Sequence, residues 1–194
     1  IPFINKELTK TDRNGKAFGK IASIVNWGSN VENSLSRKVL ETTCDVHRDA
    51  SLPKFHKKTF LDIDKNETPR LNSEAPGYGR KAAIYATCFV NYNNPSIGIS
   101  AVEVLNRNGV KTEVIYPSCC GMPQLEQGNI TEVAKSAEKV AKELRHWVDE
   151  GNDIIALTPS CALMLKFEWP LLLPENEDVK ALSAATYDID EYIV

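Results

Sequence analysis

From residue 81 onward, short apolar runs alternate with longer amphipathic stretches. Ala82-Ala83-Ile84-Tyr85-Ala86 is a continuous apolar run of strand length, the pattern of a strand covered on both faces. Pro95 then opens a stretch with Ile97, Ala101, Val104 and Leu105 at helical spacing, and Gly109 stops it. Thr112-Glu113-Val114-Ile115-Tyr116 reads as a second strand. Val133, Ala137, Val140, Ala141, Leu144 and Val148 keep the spacing of one face of a long helix. Asn129 and Glu132 are placed as a capping box at its start, and Gly151 marks its end. Asp153-Ile154-Ile155-Ala156-Leu157 is the third strand. The order β-α-β-α-β with short connections predicts an α/β fold, a parallel sheet with right-handed crossovers and flanking helices.

Upstream the pattern is weaker. Phe18, Ile21, Ile24 and Val25 suit one short helix, and Leu35, Val39 and Leu40 suit another, with Asn26-Trp27-Gly28-Ser29-Asn30 as a break between them. Residues 61–80 turn polar, with Asp62, Asp64, Lys65, Asn66, Pro69, Asn72, Pro76 and Gly77, and read as a linker or wrapping segment. A boundary near residue 78 divides a helical or irregular extension, 1–79, from the α/β domain, 80–194. The chain opens without Met and ends at Tyr192-Ile193-Val194, inside what reads as a new amphipathic segment. It therefore reads as a fragment of a longer protein.

Composition narrows the classes. The 194 residues are 42% hydrophobic, enough for a core without disulfide support. A net charge of −3 gives no general attraction to nucleic acid. Residues 1–80 hold 14 Lys/Arg against 10 Asp/Glu, the remainder 9 against 16. That basic half reads as a solvated segment, with an acidic partner or a membrane surface as the alternative. No apolar run approaches the roughly 18–20 residues of a membrane span. Ile1-Pro2-Phe3-Ile4 runs at once into Asn5, Lys6 and Glu7, unlike a signal peptide. Five cysteines are an odd number, unevenly placed, which points to a reducing, cytoplasmic compartment.

Four of those cysteines change the picture. Each predicted strand is followed, at its carboxyl end, by cysteine: Cys88 after the first, the adjacent Cys119 and Cys120 after the second, Cys161 after the third. Ligands of open parallel sheets collect beyond those ends. Neighbouring strands lie about 4.8 Å apart, so loops from three of them can surround one thiolate-rich site. Thiolates select iron–sulfur clusters, zinc or Cu(I). Two adjacent cysteines are awkward for one tetrahedral zinc, whereas a multi-iron cluster lets each sulfur take a different iron. Iron–sulfur chemistry is the leading reading. Zinc, redox-active thiols and inert buried cysteines are the alternatives.

Three segments in order carry a resemblance: Ala86-Thr87-Cys88-Phe89-Val90-Asn91-Tyr92-Asn93, then Cys119-Cys120-Gly121-Met122-Pro123, then Ser160-Cys161-Ala162-Leu163-Met164-Leu165-Lys166 with Glu168-Trp169-Pro170. Together they resemble the cysteine-rich CCG-domain family. That family includes the B-type component of heterodisulfide reductase, the glycolate oxidase iron–sulfur subunit, lactate-utilisation proteins and the C-type component of anaerobic glycerol-3-phosphate dehydrogenase. The resemblance covers about residues 80–175. It implies an iron–sulfur cluster of the 4Fe-4S type, held by Cys88, Cys119, Cys120 and Cys161, in an electron-transfer subunit or domain. It also implies a redox partner, a flavin dehydrogenase or quinone-linked subunit, and a cytoplasmic site or a peripheral one at the inner face of a membrane. Alternatives are a cluster that itself reduces disulfides, or a zinc or metal-free assembly module. Many members end in Cys-x-x-Cys, whereas here Met164 stands three residues after Cys161, as in the first of two CCG copies of the glycerol-phosphate type. Met164 reads as core rather than ligand. The resemblance places ferredoxin-like cysteines before Ile1 and a second copy after Val194.

Other signals are weaker. Cys44 and His47 form a bare Cys-x-x-His, a pairing common by chance; His56 sits in a basic Lys54-Phe55-His56-Lys57-Lys58 run that reads as a solvated loop, with a partner-facing patch as the alternative, and His146 reads as surface. Trp27, Trp147 and Trp169 read as packing anchors. Asn91, Tyr92 and Asn93 are candidate donors to the Cys88 sulfur. No P-loop, GxGxxG, HExxH or GxSxG motif occurs, which leaves nucleotide binding and the familiar hydrolase mechanisms without support.

Overall fold

A computed structural model describes residues 3–65 and 70–194. In chain order the extension holds α1 (Phe3–Leu8), α2 (Thr11–Lys20), α3 (Ala22–Ser29), α4 (Ser34–Cys44) and α5 (Phe60–Asp64). The α/β part follows with β1 (Lys81–Tyr85), α6 (Cys88–Tyr92), α7 (Pro95–Arg107), β2 (Lys111–Ile115), α8 (Met122–Glu126) and α9 (Ile130–Asp149). It continues through β3 (Asp153–Ala156), α10 (Pro159–Leu163), a π-helical turn (Met164–Glu168), α11 (Trp169–Leu172), α12 (Glu177–Ala185), β4 (Thr186–Asp188) and α13 (Ile189–Ile193).

The four strands are parallel and lie in the order β2-β1-β3-β4. The expected α/β sheet is present, with β4 as a fourth strand that the sequence pattern did not announce. Side chains alternate across β1: Ala83 and Tyr85 join one buried cluster, Ala82 and Ile84 the other. Residues Ile154 and Ala156 of β3 face the first cluster, and Ile155 the second. Helix α9 covers the first face with Val133, Ala137, Val140, Ala141 and Leu144, joined by Val179 and Leu182 of α12. Helix α7 covers the second with Ala101, Val102 and Leu105. Connections that leave β1 in one direction and return across it to β3 in the other put their helices on opposite faces, as right-handed crossovers require. The strand order therefore reverses between β1 and β3, and a crevice opens at their carboxyl ends.

Several local expectations are corrected. The break expected at 26–30 lies later, at residues 30–33 between α3 and α4, since α3 runs to Ser29, and a further break falls at Ile21. Asn26 does not serve a turn there. Its side chain donates to Phe55 O and accepts from Phe55 N, both at 2.8 Å. Asn129 stands at the N-cap of α9, but its side chain makes no capping bond, so the expected capping box is absent. A capping box does occur at α5, between Thr59 and Asp62, where the segment read as a linker or wrapping segment begins. Phe60, at the start of α5, is fully buried against the second cluster. The rest of that segment laces along the end of α7, with Asn72 N donating to Asn106 O and Gly77 N to Asn108 O. Asn66 and Pro69 lie outside the described residues. Trp27 is 68% exposed and anchors no core.

Candidate metal centre

Each cysteine is delivered by a different local device. After β1 the chain passes through Thr87, whose φ of 48° is left-handed although it is no glycine. Its hydroxyl accepts from Val90 N, starting α6, and meets the Thr158 hydroxyl at 3.1 Å. This joins the loop after β1 to the loop after β3, and Cys88 is the first residue of the helix thus capped. Cys161 sits in the first turn of α10, where its N–H donates to Thr158 O at 2.8 Å.

The vicinal pair is held from three sides. Tyr85 Oη donates to Ser118 O at 2.5 Å. The Cys119 N–H donates to Asp12 Oδ2 at 2.8 Å, and Trp169 Nε1 donates to Cys120 O at 3.1 Å. Gly121 follows with φ 88°, a conformation that lets the chain leave the pair for α8 and that a side chain would strain.

The four sulfurs gather at one end of the sheet. Cys88 Sγ lies 3.6 Å from Cys119 Sγ, and Cys120 Sγ lies 3.3 Å from Cys161 Sγ. Cys119, Cys120 and Cys161 are buried and Cys88 is half-buried; all four are free thiols. The vicinal sulfurs also act on each other, Cys120 being the leading influence on the Cys119 thiol. Among the described residues, no three His, Cys, Asp or Glu side chains converge as they would on a single ion. The closest sulfur contacts are Cys88–Cys119 and Cys120–Cys161.

Burial among like groups splits their acidities. Cys119 is held well below the usual thiol range, because Cys120, Cys88, Thr11 and the Gly121 N–H all stabilise its thiolate. Cys88 and Cys120 are pushed up, since each gives its proton towards Cys119 and a second buried charge would be repelled. Burial also raises the phenols of Tyr85 and Tyr116.

The remaining candidates fall elsewhere. Cys44 ends α4, its sulfur 3.5 Å from Thr43 Oγ1, while His47 stands beside Glu41 and Asp49. His146 pairs with Glu150 and meets the Trp147 ring edge-on. Met164 is fully buried in the first cluster, as expected of a packing residue. Asn91 and Asn93 hold the extension: Asn91 Oδ1 accepts from Leu61 N, and Asn93 Nδ2 donates to Lys54 O. Tyr92 packs edge-on against Tyr116.

Sequence reasoning missed Thr11 and Asp12, at the start of α2. Asp12 accepts from Cys119 N and from Tyr116 Oη across more than a hundred residues. Thr11 Oγ1 is buried beside the Cys88 and Cys119 sulfurs and reaches no full hydrogen bond. No hydrophobic periodicity signals either residue. The one available hint was Gly15 and Gly19, four apart and both buried, which mark a helix face in close contact.

Comparison with known proteins agrees with this anatomy. Residues 82–166 match the cysteine-rich domain family CCG. The chain is 28% identical over 180 residues to the C-type component of anaerobic glycerol-3-phosphate dehydrogenase from Escherichia coli K12, covering 92% of this chain and 43% of that one. It is 31% identical over 121 residues to lactate utilization protein A of Bacillus pumilus, covering 59% and 48%. The Geobacillus kaustophilus protein of the same name is 30% identical over the same length and shares. The chain thus spans less than half the length of these relatives. No solved structure matches.

Proposed function

We propose that Cys88, Cys119, Cys120 and Cys161 hold an iron–sulfur cluster, of the 4Fe-4S type, through which the protein passes electrons within a larger oxidoreductase. The observation that carries this reading is the pairing of four thiols, at 3.6 and 3.3 Å, beyond the strand ends where the sheet order reverses. The donor set is all sulfur, as iron–sulfur clusters prefer. Four sulfurs brought together from three separate loops suit several metal atoms, since each sulfur can take a different one. The buried Thr11 hydroxyl beside two sulfurs is a further fit, since it lacks a full partner until those sulfurs carry more charge.

A bound cluster would supply one-electron chemistry. The chain's own groups hold and shield it. Trp169 and Asp12 fix the backbone of the vicinal pair. Burial of three cysteines excludes water, and the thiol protons of the ligating cysteines leave when metal binds. The relative's name, that of a dehydrogenase component, supports a redox partner for this chain. We assign that partner as a flavin dehydrogenase or quinone-linked subunit, with the protein cytoplasmic or peripheral at the inner membrane face. No helix among the described residues is long and apolar enough to cross a membrane.

The test is anaerobic reconstitution followed by iron and sulfide analysis and EPR. Stoichiometric iron and sulfide with a cluster spectrum supports the proposal. Zinc in place of iron, or no metal, overturns it. A second reading rests on the same contacts together with the Cys119 thiolate: two dithiol pairs in reach of disulfide formation. Reversible loss of two or four thiols on mild oxidation, in protein that never takes up iron, would establish that reading instead.

A further inference from the structure

The extension reaches the cysteine site, and its contacts there are specific. Helix α2 lies against α6, with Gly15 so close to Tyr92 that a Cβ would overlap its ring. N-terminal to this contact, Gln124 Nε2 donates to Thr9 O at 2.8 Å and Asn5 Nδ2 to Gln127 Oε1 at 3.3 Å. The first turn of α2 is thereby fixed over the sulfurs. Asp12 bridges Cys119 N and Tyr116 Oη, and Thr11 Oγ1 lies beside the Cys88 and Cys119 sulfurs without a full partner.

We infer that Thr11 and Asp12 are positioning residues of the metal centre. Asp12 fixes the Cys119 backbone, and Thr11 donates a hydrogen bond to cysteine sulfur when metal is bound. The inference rests on the iron–sulfur reading above and adds what the extension does for it. A donor aimed at ligand sulfur stabilises the more negative, reduced state and so raises the reduction potential. A carboxylate that fixes a ligand's backbone N–H chiefly restricts how that ligand can move, and so how fast metal escapes.

The experiment compares Thr11→Val, Thr11→Ser, Asp12→Ala and Asp12→Asn in the full chain after anaerobic loading. Readouts are iron per chain, EPR spectrum, midpoint potential and the rate of iron release to a chelator. Thr11→Val should load fully yet show a lower potential and an altered EPR signal, and Thr11→Ser should restore both. Asp12→Ala should release iron about 10- to 100-fold faster. Asp12→Asn should stay near wild type, because its amide oxygen still accepts from Cys119 N while its NH2 can donate to Tyr116 Oη. Thr11→Val conserves volume and decides the question where Asp12→Ala unfolds the chain. Loaded variants that match wild type in potential, spectrum and release rate overturn the positioning roles alone. A wild-type chain that takes up no iron overturns the cluster reading, and these roles with it.

Discussion

Cys119 and Cys120 are adjacent, yet their surroundings ask opposite things of them. The Cys120 and Cys88 thiols hold Cys119 below the usual thiol range, while Cys119, Cys161 and burial push Cys120 above it. Replacing either with serine puts a harder, far less acidic hydroxyl where a soft ligand is needed. Cys119→Ser and Cys120→Ser should therefore each lower iron per chain sharply, while Cys44→Ser, at the end of α4, and Met164→Leu, in the core, should retain it. Metal analysis of the four variants checks this. Cluster loss in Cys44→Ser, or retention in both vicinal variants, would reverse the assignment. Trp169 has a separable task. Trp169→Phe leaves the buried Cys120 carbonyl without its donor and should cost about 1–3 kcal/mol. Urea denaturation of the metal-free chain measures it, and an unchanged midpoint would remove Trp169 from the support of the pair. The sequence marked all four cysteines because each follows an apolar run. It could not mark Asp12 or the indole donor, whose partners are distant in sequence and whose types are common.

Helices differ in how they announce themselves. α9 was legible because its buried residues are apolar and evenly spaced. α2 was nearly silent, since its buried residues are Gly15 and Gly19, and contact through missing side chains leaves no apolar signal. The consequence is testable with paired substitutions. Gly15→Ala must displace the Tyr92 ring or the helix, and overpacking of this kind costs about 1–3 kcal/mol. Gly28→Ala, in α3 with nothing near its Cβ, should stabilise by about 0.5–1 kcal/mol through helix propensity alone. Thermal melts give both signs, and amide exchange should speed up across α2 only in Gly15→Ala. Equal behaviour of the two variants would mean that α2 is not docked through Gly15. The same logic explains α5. Most of its residues fall in the segment read as a linker or wrapping segment, but Phe60 anchors it with Leu61 beside it, Phe60 seated so closely on α7 that a Cβ at Gly98 would stand 2.5 Å from its ring.

The sheet order decides where chemistry can occur. A run of strands wound in one direction would offer no crevice; the reversal between β1 and β3 does, and the loops after β1, β2 and β3 carry the cysteines to it. The strand-and-helix alternation predicted that convergence. It did not predict β4, whose three residues, Thr186–Asp188, are too few for a periodic signal. Metal bound among the cysteine loops should couple local order to overall stability. In the metal-free chain, residues 117–124 and 158–163 can open locally despite the tethers from Tyr85, Asp12, Trp169 and Thr87, because those are single hydrogen bonds. The strand amides of β1 and β3 are enclosed by both clusters and should exchange only through global unfolding. On loading, opening the loops means breaking metal–thiolate bonds, so their protection should rise towards that of the strands, and the gap between loop and strand should narrow. Hydrogen exchange with and without reconstituted iron reads both quantities together. Loops equally protected in the two states would show that metal, if bound at all, is not held by these segments. An equal gain in loops and strands would show that it stabilises the fold without ordering the site.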